Sequence, residues 1–281
     1  MGLFRPNYDR PGPGVRKDEP RKKGFPRLLE ILGRDMSSLV KLNILFCFCI
    51  LPTGASFFAG MSGILPTIMF LLSLVAAFPV GGALVATTFC ISKMLRDDPG
   101  FVWHDFKRKF KENLLQAAFP GILFVAMIYS QVLMWLSQLL GENGADFTWA
   151  LAMFIIFIIF SMVAPYVFIL FGYIDLKATK IVKNSILLSL ANTPRSFMGA
   201  VTGGFLWIVF VLFLPVSILF LPVIVLFGFT LTILFSMMWI WPRIDTQFAI
   251  EETIRKRQAG IVDEPEGIPD STENVPEQAD E

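Results

Sequence analysis

Four long stretches of this chain contain no Asp, Glu, Lys or Arg: Leu42 to Ser92, Asn113 to Gly141, Phe147 to Ile174 and Ser196 to Pro242, of 51, 29, 28 and 47 residues. A helix that crosses a bilayer needs about 20 predominantly apolar residues. The two long stretches therefore hold two spans each and the shorter ones one each, which predicts six, at about 42–59, 64–92, 114–140, 148–173, 197–214 and 223–241. Turns fall where they are needed. "FFAGMSGILP" separates spans one and two, "GENGAD" spans three and four, and "LPVSILFLP", with Pro215 and Pro222, spans five and six. Proline lacks a backbone donor and clashes with the preceding turn, so it favours such breaks.

Only 17% of the 281 residues are charged, and 54% are hydrophobic, 29 of them Phe. A soluble domain carries about 25% charged residues, and the shortfall points to lipid. The expected fold is all-α: a polytopic membrane protein with six transmembrane helices and amphipathic cytoplasmic helices.

The net charge of +1 conceals a strong sorting of charge along the chain. Ten bases lie from Arg5 to Lys41, six from Lys93 to Lys111, four from Lys177 to Arg195 and four from Arg243 to Arg257, which accounts for all 24. With six spans every one falls on the same side, and the three opposite turns have none. The positive-inside rule makes that side the cytoplasm and places both termini there. Five or seven spans would put a basic block outside.

Three parts follow. Residues 1–24 are rich in Pro, Gly, Lys and Arg and residues 259–281 are acidic, and neither can bury enough apolar surface to fold alone. The spans and cytoplasmic helices occupy 25–258. No apolar run follows the first bases, so no cleavable signal peptide is expected. The basic tail suits anionic lipid headgroups. Amphipathic helices are predicted in "FPRLLEILGRDMSSLVKL", in "DLKATKIVKNSILLSL", with Lys177, Lys180, Lys183 and Asn184 on one face, and in "RIDTQFAIEETIRKRQ". Such helices lie in the headgroup layer.

"RDDPGFVWHDFKRKF" holds the single histidine. Asp98 is positioned to cap a helix starting at Pro99, along which Val102, Phe106, Phe110 and Leu114 recur every four residues with Trp103 widening the face. Lys107 and Lys111 flank it, so Val102, Trp103, Phe106, Lys107, Phe110 and Lys111 form a candidate docking or headgroup surface. His104 and Asp105 are adjacent and diverge by roughly 100° on a helix. No nucleophile motif, zinc motif or phosphate-cradling glycine loop accompanies them, so no catalytic residue, metal site or cofactor is expected. Cys47, Cys49 and Cys90 lie in apolar runs and read as packing residues.

Proton relays and ion-coupled pumps usually carry an ionisable group within the membrane, and these spans have none. Asn43, Gln116, Tyr129, Gln131, Gln138 and Tyr166 are the polar groups that could line a path. In "FPVGGALVA", Pro79 and Gly81 to Ala86 mark a candidate helix break, while Gly82 with Ala86, and Gly199 with Gly203, are small-xxx-small pairs for close helix packing. The second pair serves either a contact inside the chain or a dimer.

The residues "NYDRPGPGVRKDEPRKKG" at 7–24, "LVKLNILF" at 39–46, "PVGGALVATTF" at 79–89 and "MLRDDPGFVWHDFKRKFKENLLQA" at 94–117 resemble the YesL-like family of bacterial membrane proteins. Gly82 stands where that family carries proline in its small-residue motif. The resemblance implies an integral protein of the bacterial plasma membrane, of a kind often encoded near sugar-uptake or polysaccharide-use genes, and brings no catalytic residue. The expected function is thus a non-enzymatic accessory or regulatory component of a transport system, with a transporter or channel for a neutral solute as the alternative. Expected partners are the lipid bilayer, anionic headgroups and a transporter subunit or a second copy, and no nucleic acid.

Overall fold

The computed structural model describes residues 22, 24–98, 100–140, 147–174, 176–212, 222 and 224–258. The two tails, apart from Lys22 and Gly24, and residues 141–146 and 213–221, where turns are expected, lie outside the described residues. Among the described residues all regular structure is helical. In order these are α1 (Phe25–Met61), α2 (Pro66–Ala76), α3 (Phe78–Leu95), α4 (Val102–Asn113), α5 (Ala118–Leu140), α6 (Phe147–Tyr173), α7 (Ala178–Ala191), α8 (Thr193–Leu212), a π-helical turn (Ile224–Gly228), α9 (Phe229–Phe248) and α10 (Ile250–Gln258).

Among the described residues five helical segments are long and apolar enough to cross a membrane: Phe25–Met61, Phe78–Leu95, Ala118–Gln138, Phe147–Tyr173 and Val225–Phe248. The helix expected as span five, α8, runs to the edge of the described residues. Span one is not a separate element. It continues the preceding amphipathic segment as one 37-residue helix, bent where Asp35 leaves helical geometry at φ −108° and ψ 15°.

The helix expected over 64–92 is interrupted at Ala77, between α2 and α3. Pro79 supplies no amide for the carbonyl four residues before it, and the chain tightens so that Ala77 N donates to both Ser73 O (3.0 Å) and Leu74 O (3.2 Å). Pro79 then sits in the first turn of α3, where a missing amide does no harm.

Helix α3 is the centre of the bundle. It is 83% buried over its apolar window, against 17–44% for the other four candidate spans, and touches α1, α4, α5, α6 and α9. Gly81 makes this possible. A Cβ there would stand 1.8 Å from Ala117 O, and one on Gly121 would stand 2.3 Å from Gly81 N, so α3 and α5 meet backbone to backbone. Gly82 faces Leu114 Cα and Phe110 O at 3.2 and 3.3 Å, and Ala86 is fully buried. Gly199 and Gly203 seat α8 against Ser236 and Thr232 of α9, a contact within the chain. In a bilayer, where apolar surface alone drives no association, close approach of this kind holds helices together.

Helix α7 departs from the expected in-plane placement. It starts just after Tyr173, yet Ser189 Oγ donates to Met162 O at 3.2 Å, so it runs back alongside α6. Small hydroxyl residues at Ser185, Ser189 and Ser196 let the helices approach, and each hydroxyl donates to a backbone carbonyl.

Gly81→Ala should therefore destabilise severely, because the obstructing atoms are backbone, by more than the roughly 1–3 kcal/mol of ordinary overpacking. Gly204→Ala, where nothing lies within 4 Å, should leave the thermal unfolding midpoint in detergent unchanged or slightly raised; equal midpoints for the two variants would contradict the crossing.

Candidate functional site

The charged segments meet at one end of the bundle. Arg96, just past α3, places its guanidinium 5.5 Å from the ring centroids of both Tyr173 at the end of α6 and Trp241 in α9. Arg27 of α1 donates to Leu95 O at 3.0 Å and to Asp97 Oδ2 at 2.7 Å. Arg34, two turns further along α1, donates to Met94 O at 2.9 Å, to Asp35 at 2.7 Å, and also pairs with Asp97. Thus a single carboxylate, Asp97, collects two arginines and ties α1 to the end of α3.

Asp97 reaches both because its backbone is left-handed, at φ 61°. Aspartate and asparagine tolerate that conformation better than most residues. Burial works against the Asp97 carboxylate, but hydrogen bonds and charge from Arg27 and Arg34 outweigh it and hold the carboxyl below its usual range. A second knot lies beside the first: Lys93 Nζ donates to the buried Asp105 at 2.8 Å, and Arg108 approaches the same carboxylate at 3.4 Å. Between the knots is a recess of about 380 Å³ lined by Arg34, Asp35, Ser38, Lys93, Asp97 and Asp98, among others. Its lining holds two cations, Arg34 and Lys93, and four carboxylates, Asp35, Asp97, Asp98 and Asp105, each of them in an ion pair. The arrangement is a clamp on α1, α3 and α4.

The expected cap at Asp98 does not form. α4 starts at Val102 after an extended Phe101, without a side-chain cap, while Asp98 pairs with Arg96 at 3.4 Å. The competing arginine, itself buried on two aromatic rings, decides this. The expected α4 surface divides in two. Phe106 is buried, and Val102 and Phe110 are half-buried against the core, whereas Trp103, Lys107 and Lys111 are exposed. His104 is also exposed, its Nδ1 3.9 Å from Asp105 Oδ1, beyond hydrogen-bond reach. Among the described residues no group of three or more His, Cys, Asp or Glu is arranged to hold a metal ion.

Asn43, Tyr129, Gln131 and Tyr166 are turned to neighbouring elements. Asn43 is fully buried; its Nδ2 donates to Val225 O at 2.6 Å and its Oδ1 accepts from Thr230 N at 2.9 Å. It thereby serves backbone groups around the π-helical turn, where regular i to i+4 bonding is disrupted. Tyr129 donates to Thr53 O, Gln131 to Met153 O, and Tyr166 shares a hydrogen bond with Ser196. Gln116 lies elsewhere, in an open cleft with Lys177 and Lys180. In the sequence Arg27, Arg34, Arg96 and Asp97 stand only as members of charged blocks, and "LRDDPG", directly after an apolar run, is the one signal that marks them.

Comparison with known protein families, curated proteins and solved structures finds no match.

Asp97→Asn keeps the tolerance for left-handed backbone and removes the charge, so it should cost about 1–3 kcal/mol, a few degrees of unfolding midpoint. Because the folded carboxyl lies below its usual value, its contribution is full at neutral pH and is lost as pH falls through that lowered value. The gap between wild type and Asp97→Asn, followed by thermal unfolding, should close on acidification; a gap constant with pH would contradict the pairing.

Proposed function

We propose that this chain is a six-span protein of the bacterial plasma membrane with both termini in the cytoplasm, similar to the YesL-like family, acting as a non-enzymatic accessory or regulatory component of a transport system. Carbohydrate uptake is the system the resemblance implies. The observation that carries this reading is the use of the intramembrane polar groups. Asn43, Tyr129, Gln131 and Tyr166 bond to backbone or side-chain groups of adjoining helices, and the segment from Val80 to Ser92 at the heart of the bundle is buried throughout. Such an interior supports a scaffold that presents its cytoplasmic end to a partner more than it supports a route for solute. A transporter subunit, or a second copy of the chain, is the partner expected.

Purification in gentle detergent should recover a transporter subunit with this protein. Passage of neutral sugars into liposomes containing the purified chain alone would favour the transporter reading and overturn this one. Orientation has a separate test. With Cys47, Cys49 and Cys90 replaced, a cysteine at Gly144 should react with an impermeant thiol reagent only from outside the cell; reaction only from the cytoplasm would reverse the topology.

A further inference from the structure

We propose that the outward stripe of α4 anchors the protein to anionic phospholipid headgroups of its own bilayer. This rests on the membrane placement proposed above and is independent of any role in transport. Trp103, Lys107 and Lys111 follow one another at four-residue intervals and share one side of the helix. At about 100° per residue, that side is turned roughly 110° from the one that buries Phe106 and Asn113.

Among the described residues this stripe carries uncompensated charge, as do the exposed Lys177, Lys180 and Lys183. Arg27, Arg34, Lys93, Arg96 and Lys109 all have carboxylate partners, but among the described residues neither Lys107 nor Lys111 has a carboxylate within 4 Å. The two acids of α4 are already engaged, Asp105 by Lys93 and Glu112 by Lys109 at 2.9 Å. What α4 presents outward is thus an exposed indole beside uncompensated ammonium groups. Tryptophan favours the headgroup level, and lysine extends its charge to phosphate while its stem stays on apolar surface.

The stripe is also continuous with the apolar exterior. Leu115 and Phe119, 79% and 74% exposed, lead from α4 into the long apolar α5. A soluble partner would have to cover this apolar edge as well, whereas lipid meets both parts at once. Anionic lipid is therefore the occupant that matches both the charge and the surroundings.

The test uses the full chain in phosphatidylcholine vesicles with a minor fraction of phosphatidylglycerol, either lipid carrying bromine near the top of its acyl chains. Trp103 emission is read as the difference between wild type and Trp103→Phe. Bromine on phosphatidylglycerol should quench it more than the same mole fraction on phosphatidylcholine, each lysine enriching the anionic lipid about fivefold. The preference should collapse in Lys107→Glu/Lys111→Glu and, partly, in the milder Lys107→Gln/Lys111→Gln, both checked for monodisperse elution, and it should weaken in high salt. Equal quenching by the two lipids, or an unchanged preference in the variants, would overturn the proposal. Trp135 and Trp149, exposed on α5 and α6, separate the two levels. If they are quenched and Trp103 is not, this inference alone fails and the face is left to a protein partner; if none is quenched, the membrane placement fails with it.

Discussion

Hydrocarbon offers neither water to a charge nor a partner to an orphan backbone group, and this exclusion orders the whole molecule. It keeps charge out of four long segments and gathers it at their ends. It also explains why interior polar residues such as Asn43, Tyr129 and Gln131 bond backbone groups of neighbouring elements. Asn43 is the clearest example: a π-helical turn at Ile224–Gly228 disrupts regular bonding, and a single amide side chain on α1 bonds one carbonyl and one N–H beside it. Replacing it by an apolar residue of similar size would leave those groups without that partner.

At the charged end the problem is reversed, since ions there must be neutralised without collapsing the helices together. The solution separates two populations of cations. An inner group, Arg27, Arg34, Lys93 and Arg96, is pinned by Asp97, Asp105, Asp98 and two aromatic rings, and it fixes α1, α3, α4, α6 and α9 at one level. An outer group, including Lys107 and Lys111, faces away from the bundle. The inner group gives the rim its rigidity, and the outer group is what a lipid or partner would meet.

Much of the architecture was legible because the relevant physics is local to the sequence. Uncharged length gave the apolar helices, and Pro79 marked the break near Ala77. Gly82 and Gly199 were recognisable as small residues for packing. Less visible were features set by a distant partner. Gly81, beside the motif residue Gly82, is the true crossing point because α5 brings Gly121 to it. Phe106 and Trp103 looked alike as parts of one aromatic face, and only the position of α3 buries the first and leaves the second exposed. Asp98 had the spacing of a cap, but Arg96, held over Tyr173 and Trp241, claimed it. The return of α7 along α6 brings Ser189 to Met162 O, a contact that no periodicity identifies.

The division of cations, and their proposed placement on one side of the membrane, can be read together by amine labelling. Membrane vesicles of either orientation would be treated with an impermeant acylating reagent and the modified lysines mapped by mass spectrometry. Lys107 and Lys111 should be labelled rapidly, and only when the cytoplasmic face is outward, with Lys93 protected by its pairing with Asp105. Labelling of Lys107 from the opposite face, or Lys93 reacting as fast as Lys107, would contradict the sorted, one-sided rim.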